Sequence, residues 1–293
     1  MPERIVVGTR GSKLALAQTA RVVEKLENKG YDVEIKIIRS TGDIMKDKPL
    51  YEFKGSGAFV RTLEQALLKR EIDIAVHSYK DIPSNMLEGV TVAAVLERDS
   101  PNDAFVARDG STLEEIKPHA VVGTSSLRRR AQLGIYRPDL KFENIRGNVD
   151  TRLRKLREGL YDAIVLAEAG LIRLGIDVEY QRLPIEKFVP PANQGIIAVQ
   201  TREGEEELVS FINHKDTWLE AEVERAVMKE LGIGCAIPAG IYAECRSKVR
   251  LIVQVIKDGK EFRVDEEISK TNAVEEAKEI AKNLKSELGL CTG

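Results

Sequence analysis

The chain has 293 residues, with 45 Lys or Arg against 47 Asp or Glu and a formal net charge of -2. That balance excludes a globally basic binder of nucleic acid or membrane, so any electropositive site must be local. A hydrophobic content of 43% and a charged content of 31% exclude a disordered or fibrous chain, and the length suits two or three domains.

The start, Met1-Pro2-Glu3-Arg4, runs into a short apolar strand and lacks the basic-then-apolar pattern of a secretory signal. No run of about 18 apolar residues occurs, so no membrane-spanning helix is expected. Cys235, Cys245 and Cys291 are too few, and odd in number, for a disulfide framework. The expected location is the cytoplasm. Without coiled-coil or long repeat patterns, the expected state is a monomer.

Residues 5–8 are an apolar run closing on glycine, read as a buried strand. Over 13–28, Leu14, Ala17, Val22 and Leu26 recur near helical spacing, and Gly30 is a stop signal. Residues 33–39 alternate apolar and charged, as a strand does. The segment 40–57 is rich in Lys, Asp and Gly, contains Pro49, and is read as a lid over a site. A helix follows over 58–69, carrying Phe59, Val60, Leu63, Leu67 and Leu68, and then strands at 72–76 and 90–96. This alternation implies crossover connections and a largely parallel sheet.

A weak repeat comes next. Val6-Val7-Gly8-Thr9 is echoed by Val121-Val122-Gly123-Thr124, and residues 72–76 by 161–165, in the same order. The echoes suggest two similar α/β domains. Residues 99–103, with Pro101, suit a hinge, and 188–193, with Pro190 and Pro191, suit a return hinge. The strand at 196–200 is placed back in the first domain. A helix over 217–231 then stops at Gly232, alternating stretches at 239–244, 249–256 and 261–268 read as antiparallel strands, and a helix spans 273–288. Asp258-Gly259 is a hairpin turn signal. The expected division is 1–98 with 194–214, 99–193, and a smaller α+β domain at 215–293.

In open α/β sheets, ligands bind beyond the carboxyl ends of the strands, and here those positions are basic. Arg10 follows the first strand, and His77-Ser78-Tyr79-Lys80-Asp81 follows another. Thr124-Ser125-Ser126-Leu127-Arg128-Arg129-Arg130 and Arg146-Gly147-Asn148 occupy such positions in the second domain, with Arg152 one helical turn further on and Arg173 in a later helix. Two readings stand. One is solvated helix faces, which suits Arg130, Arg154, Lys155 and Arg157. The other is an anion-binding cleft: Ser and Thr at helix starts expose N–H donors favoured by the dipole, and arginines add planar forks for carboxylates.

Asp81 either pairs with Lys80 or an arginine, or stabilises positive charge that develops during a reaction. Cys235 is either a buried structural thiol or an exposed one in the glycine-rich turn Gly232-Ile233-Gly234-Cys235. No cysteine has a CxxC partner, and His77, His119 and His214 are dispersed, so no metal site is expected. No phosphate-binding glycine fingerprint occurs.

The segments GTRGSKLALAQ at 8–18, HSYKDIP at 77–83, GTSSLRRRAQL at 123–133, IRGNVDTRL at 145–153 and GCAIPAG at 234–240 resemble, in order, the signatures of the porphobilinogen deaminase family. The resemblance implies two periplasmic-binding-protein-like (type II) α/β domains, a smaller third domain, and a dipyrromethane cofactor thioether-linked to Cys235. It implies head-to-tail condensation of four porphobilinogens with loss of ammonia, followed by hydrolysis to hydroxymethylbilane. Asp81 is then the catalytic carboxylate. Lys80, Ser126, Arg128, Arg129 and Arg152 hold cofactor carboxylates, with Phe59 as an apolar wall. Arg10, Ser12, Gln18, Arg146 and Arg173 hold substrate or the growing chain. The sequence departs from the family pattern at Ser56 and Arg61, where lysine is usual, at Asp150 and Asn193, where glycine is usual, and at Tyr79. Two other functions share the residue pattern: a two-lobed receptor for a small anion, and a transferase for another acidic substrate with Cys235 as nucleophile.

Overall fold

The computed structural model describes residues 3–39, 58–232 and 237–289. The chain divides into two compact units, 1–99 with 196–218 and 100–195 with 219–293.

In the first unit, β1 (Arg4–Thr9) runs parallel to β2 (Asp32–Ile37) on one side and to β3 (Ile74–Ser78) on the other. Helix α1 (Lys13–Lys29) starts where the Ser12 hydroxyl accepts the Ala15 N–H at 3.2 Å. It ends at Gly30, whose φ of 100° is the left-handed conformation that closes a helix. Val22 and Leu26 bury its inner face among Ile5, Val7 and Ile74. Helix α2 (Ala58–Leu68) packs Leu63, Ala66 and Leu67 against Ile72 and Ala75. β4 (Val90–Val95) and β10 (Ile197–Arg202) complete the sheet in the order β2-β1-β3-β10-β4.

The sheet is less parallel than the alternation implies, because β10 runs antiparallel to both β3 and β4. The chain leaves the sheet at the end of β4 and re-enters beside it, where the Leu96 N–H donates to the Ile197 carbonyl at 3.0 Å. A strand that begins where its neighbour stops must run the opposite way.

In the second unit, β5 (Asp103–Ala107) precedes β6 (Val121–Gly123), α3 (Leu127–Tyr136), β7 (Lys141–Glu143), α4 (Val149–Arg157), β8 (Ala163–Ala167), α5 (Glu168–Arg173) and β9 (Gln181–Arg182). The sheet order is β7-β6-β8-β5-β9, with β6 parallel to β7 and β8, and β5 antiparallel to β8 and β9. This is the topology of the first sheet, strand for strand. β5 was not expected: the sequence reading stops at a hinge over 99–103, and the strand starts on its last residue.

The repeat reaches individual hydrogen bonds. Val7 and Gly8 pair with Ile74 and Ala75, while Val122 and Gly123 pair with Ala163 and Ile164. The Val6 N–H donates to Asp73 at 2.8 Å, and the Val121 N–H donates to Asp162 at 2.8 Å.

The second unit also holds α6 from Leu219 onward and a third sheet. α6 (Lys215–Leu231) and α7 (Ala273–Glu287) pack Val223, Val227, Ala277 and Ala281 against the antiparallel strands β11 (Ala239–Cys245), β12 (Val249–Lys257) and β13 (Lys260–Ile268). The turn from β12 to β13 is Asp258-Gly259, both with positive φ (51° and 74°), as a tight hairpin requires. The outer edge of β11 is not left open. Glu224 and Glu220 of α6 accept the Ala243 and Cys245 N–H groups at 2.7 and 2.9 Å, and the Pro190 carbonyl accepts that of Ile241 at 2.8 Å.

Candidate functional site

The first unit gathers polar groups where β1 and β3 end side by side. Arg10 follows β1 and is half-buried. Gln18, buried on α1, donates from Nε2 to the Ser78 Oγ at 2.7 Å. His77 is buried beside them. Burial pushes its pKa down to about 4, the neighbouring Gln200 side chain opposes this, and the Arg10 charge lowers it further. The imidazole is therefore neutral at pH 7. Lys80 and Asp81 lie on the tight helical turn Tyr79–Asp81 that follows β3, and both are exposed. The Ile82 N–H closes that turn on the Tyr79 carbonyl at 3.0 Å, and Tyr79 itself is buried. Arg10, Ser12, Gln18, Lys80 and Asp81 thus share one end of the first sheet.

The second unit does the same with more charge. Ser126 caps α3, its hydroxyl accepting the Arg129 N–H at 3.3 Å. Arg128 and Arg129 stand in the first turn of that helix and are both buried. Cations are disfavoured at the positive end of a helix, and burying two of them costs more still. The offset is Asp103, 1% exposed at the start of β5. It accepts Arg128 Nη2 on one oxygen at 2.8 Å and Arg129 Nη2 on the other at 2.7 Å. Burial alone would raise the Asp103 carboxyl, but the two guanidiniums outweigh it and hold it well below the usual carboxylate range.

The two arginines differ in what remains. Arg128 Nη1 also serves Gln132 at 2.7 Å and the Val189 carbonyl at 3.0 Å. Arg129 Nη1 donates to the Val165 carbonyl at 2.9 Å, but its Nε is buried with no hydrogen-bond partner among the described residues. Arg152, on α4, donates from Nε to the Gly147 carbonyl at 2.8 Å. Burial lowers its pKa, and the Arg129 charge lowers it further. Arg146 is exposed in the loop before α4, and Arg173 Nη2 donates to the Gly195 carbonyl at 2.6 Å. Arg130 is no idle solvated residue: its Nε and Nη2 both grip the Thr124 carbonyl, at 3.0 and 2.9 Å.

Cys235 and the 40–57 segment lie outside the described residues, as does the side chain of Phe59 on α2. Among the described residues, no group of His, Cys, Asp and Glu is placed to hold a metal ion. No helix among them is long and apolar enough to cross a membrane.

Sequence reading missed the buried carboxylates, which among the described residues are Glu64, Asp103, Glu168, Glu220 and Glu224. Asp103 heads an apolar run, Asp103-Ala104-Phe105-Val106-Ala107, which is the one signal that it points inward. Glu168 and Glu224 are fully buried and were hidden inside helical patterns. Glu168 receives the Tyr180 hydroxyl and Arg182 Nε, both at 2.8 Å. Glu224 receives the Asn193 N–H at 2.5 Å. Two departures from the family pattern also find their reasons. Asn193 has a φ of 64°, and asparagine is among the few non-glycine residues that adopt this readily. Asp150 sits in the first turn of α4, where the dipole favours an acid.

Comparison with known proteins adds the following. The profile described as "Porphobilinogen deaminase, dipyromethane cofactor binding domain" matches residues 5–210, and that of the "Porphobilinogen deaminase, C-terminal domain" matches 218–289. A probable porphobilinogen deaminase of Archaeoglobus fulgidus is 66% identical over 287 residues, covering 97% of this chain and 99% of its own. Another, from Methanocaldococcus jannaschii, is 48% identical over 291 residues, covering 96% and 98%. Among solved structures, an ancestral cationic amino acid solute binding protein aligns with a TM-score of 0.42 at 13% identity, covering 72% of this chain and 86% of its own.

Proposed function

This chain belongs to the porphobilinogen deaminase family, and from that premise we propose that it joins four porphobilinogens head to tail, releasing ammonia at each step, on a dipyrromethane primer, and then hydrolyses the product to hydroxymethylbilane. It is an enzyme, a transferase of tetrapyrrole synthesis.

The observation that carries the site assignment is the guanidinium cluster of the second unit. Among the described residues, Arg129 keeps a buried Nε with no hydrogen-bond partner, and its charge acts on Arg152. A buried donor without an acceptor costs about 1–3 kcal/mol, so it suits a ligand that brings one. Pyrroles carrying acetate and propionate groups bring several. The buried guanidiniums fit the carboxylates of the dipyrromethane, and on this reading Arg128, Arg129, Arg152, Ser126 and Lys80 would hold those carboxylates, Phe59 would wall the group and Cys235 would hold it as a thioether. When bound, it supplies the pyrrole carbon to which the first substrate is joined.

The remaining roles belong to the chain's own groups. Arg10, Ser12, Gln18, Arg146 and Arg173 bind substrate carboxylates and orient the ring. Gln18 is held for this by Ser78. Asp81 accepts pyrrole N–H groups and offsets the positive charge that grows where ammonia leaves, and its carboxylate can take up a proton there. Its place on an exposed turn at the end of β3 supports access to substrate. Neutral His77 adds no charge to the first-unit site.

We divide the chain into three domains, 1–98 with 194–214, 99–193 and 215–293, because one sheet falls in each. We read the enzyme as a cytoplasmic monomer that meets porphobilinogen without nucleic acid or membrane, which the sparse cysteines and near-neutral charge support.

Intact mass spectrometry with and without porphobilinogen tests the whole reading. The purified protein should carry a dipyrromethane adduct that Cys235→Ser abolishes, and porphobilinogen should add a ladder of pyrroles. Asp81→Ala should keep the adduct and lose nearly all turnover. A bare chain with no ladder, or near-normal turnover in Asp81→Ala, would refute the corresponding assignment.

A further inference from the structure

Two adjacent buried guanidiniums at a helix start do not hold themselves in place. Like charges repel, and long side chains with several rotatable bonds spread unless something fixes them. In the second unit that role falls to a residue outside every motif named above.

We propose that Asp103 is a positioning residue for the carboxylate-binding site, a single buried anion that sets the spacing and orientation of Arg128 and Arg129. The geometry is specific. Each carboxylate oxygen takes the Nη2 of a different arginine, at 2.8 and 2.7 Å. Gln194 Nε2 fixes the carboxylate from a third side at 2.9 Å and ties it to the Pro101 carbonyl at 2.7 Å. The strand pairing of Asp103 with Ala167 anchors its backbone beside the end of β8. The charge count is as telling as the distances. One carboxylate offsets one of the two guanidiniums it touches. The cluster stays cationic, with the Arg129 Nε unpartnered among the described residues and the Arg129 charge felt at Arg152. A second buried acid here would cancel the attraction for a ligand carboxylate, and none at all would let the arginines splay. Asp103 thus supports binding without touching the ligand.

This inference rests on the proposed function, and the experiment separates the two. Wild type, Asp103→Asn, Asp103→Glu and Asp162→Ala are purified, and the folded fraction of each is isolated. Its melting temperature and its ratio of dipyrromethane-bearing to bare chain are measured, the latter by intact mass. Asp162 is the control because it is a partly buried, ion-paired acid of the same unit that lies before β8, at the far end from Asp103, and takes Lys117 at 2.8 Å. Asp103→Asn keeps the shape and removes the charge, and should lower the bound-to-bare ratio about tenfold, the size of a lost charge-assisted hydrogen bond. Asp103→Glu keeps the charge but displaces both guanidiniums by a methylene, and should lower the ratio about threefold while remaining folded. Asp162→Ala should lose melting temperature and keep the wild-type ratio, which separates positioning from general stability. A wild-type ratio in either folded Asp103 variant, or an equal fall in Asp162→Ala, overturns the proposal. If Asp103→Asn does not fold, Asp103→Glu decides alone. A wild-type protein with no adduct overturns the functional reading instead.

Discussion

The two α/β units share a strand order, a pair of strand-end glycines and a pair of strand-start aspartates, but they solve opposite electrostatic problems. Their registers make positions equivalent: Ile197 faces Ser78 in the first sheet as Asp103 faces Ala167 in the second. Ile197 is 1% exposed and part of an apolar cluster, while Asp103 is equally buried and ionised. Counted from their caps, Leu14 and Ala15 in α1 take the places of Arg128 and Arg129 in α3. Where the helix start is apolar, the strand beside it is apolar; where the helix start carries two cations, the strand supplies the anion. Charge in a buried site is thus set by matched changes on two elements, not by one residue.

The largest test exchanges that match. Asp103→Asn leaves two buried guanidiniums short of their anion and should destabilise the protein by about 3–5 kcal/mol in denaturant melts, the usual loss when one partner of a buried pair goes. Ile197→Val at the equivalent position only trims a methylene and should cost about 0.5–1.5 kcal/mol. Equal losses at the two positions would end the argument that the second unit depends on an internal ion cluster.

Acid should then separate the units. His77 binds a proton with a pKa of about 4 when folded and near the ordinary imidazole value of 6.5 when unfolded. Between those values the unfolded chain binds more protons, so the His77 contribution to stability is fully present above pH 6.5 and is lost as pH drops toward 4, by about 3 kcal/mol. Asp103 is depressed when folded, so its contribution is present above the ordinary carboxylate range and is lost only as pH falls below it. Amide exchange resolved by residue should show first-unit strands loosening between pH 6.5 and 4 while β5 and β8 hold. Replacing His77 with Gln should flatten the first-unit slope. Parallel loosening of both units across that window would assign the titration elsewhere.

The shared glycines offer a smaller contrast. A Cβ on Gly8 would come 2.2 Å from Ile72 Cδ1, the movable tip of an aliphatic chain. A Cβ on Gly123 would come 2.9 Å from the ring of Tyr161, whose hydroxyl is tied to the Asn144 carbonyl at 2.8 Å. Alanine should therefore cost about 1–3 kcal/mol at both, near the upper end at Gly123 because the tethered ring cannot turn aside. A larger loss at Gly8 would show that the first unit is the more rigidly packed of the two.

How much of this the sequence discloses depends on how local the cause is. Helix α1 is legible because its cap, apolar spacing and stop glycine all lie within its own span. The hairpin at Asp258-Gly259 is legible for the same reason. β10 could be placed but its direction could not, because direction follows from where the chain re-enters beside β4. β5 was missed because Pro101 signals a hinge and the strand begins two residues later. The basic residues of the candidate site stand out by type and by position after strands. Asp103 does not, since its meaning is given by Arg128 and Arg129, 25 and 26 residues away.

The smallest effect tests the repeat itself. Asp73 and Asp162 each accept a backbone N–H from the strand beside them, Val6 and Val121, both at 2.8 Å. Each also meets cations: Asp73 takes Arg202 at 3.3 Å, and Asp162 takes Lys117 at 2.8 Å. Alanine at either removes an acceptor for a strand N–H and should cost about 0.5–1.5 kcal/mol. Asparagine keeps an oxygen for that N–H and forfeits only a part-exposed ion pair, so it should cost less, about 0–1 kcal/mol. Urea melts of the four variants should give the same order, Ala above Asn, in both units. If the backbone bond matters and the cations are incidental, the two alanine losses agree despite their different partners; if Asp162→Ala and Asp162→Asn are equally damaging while Asp73→Asn is silent, the ion pair governs in the second unit, and the repeat is shared in geometry but not in energy.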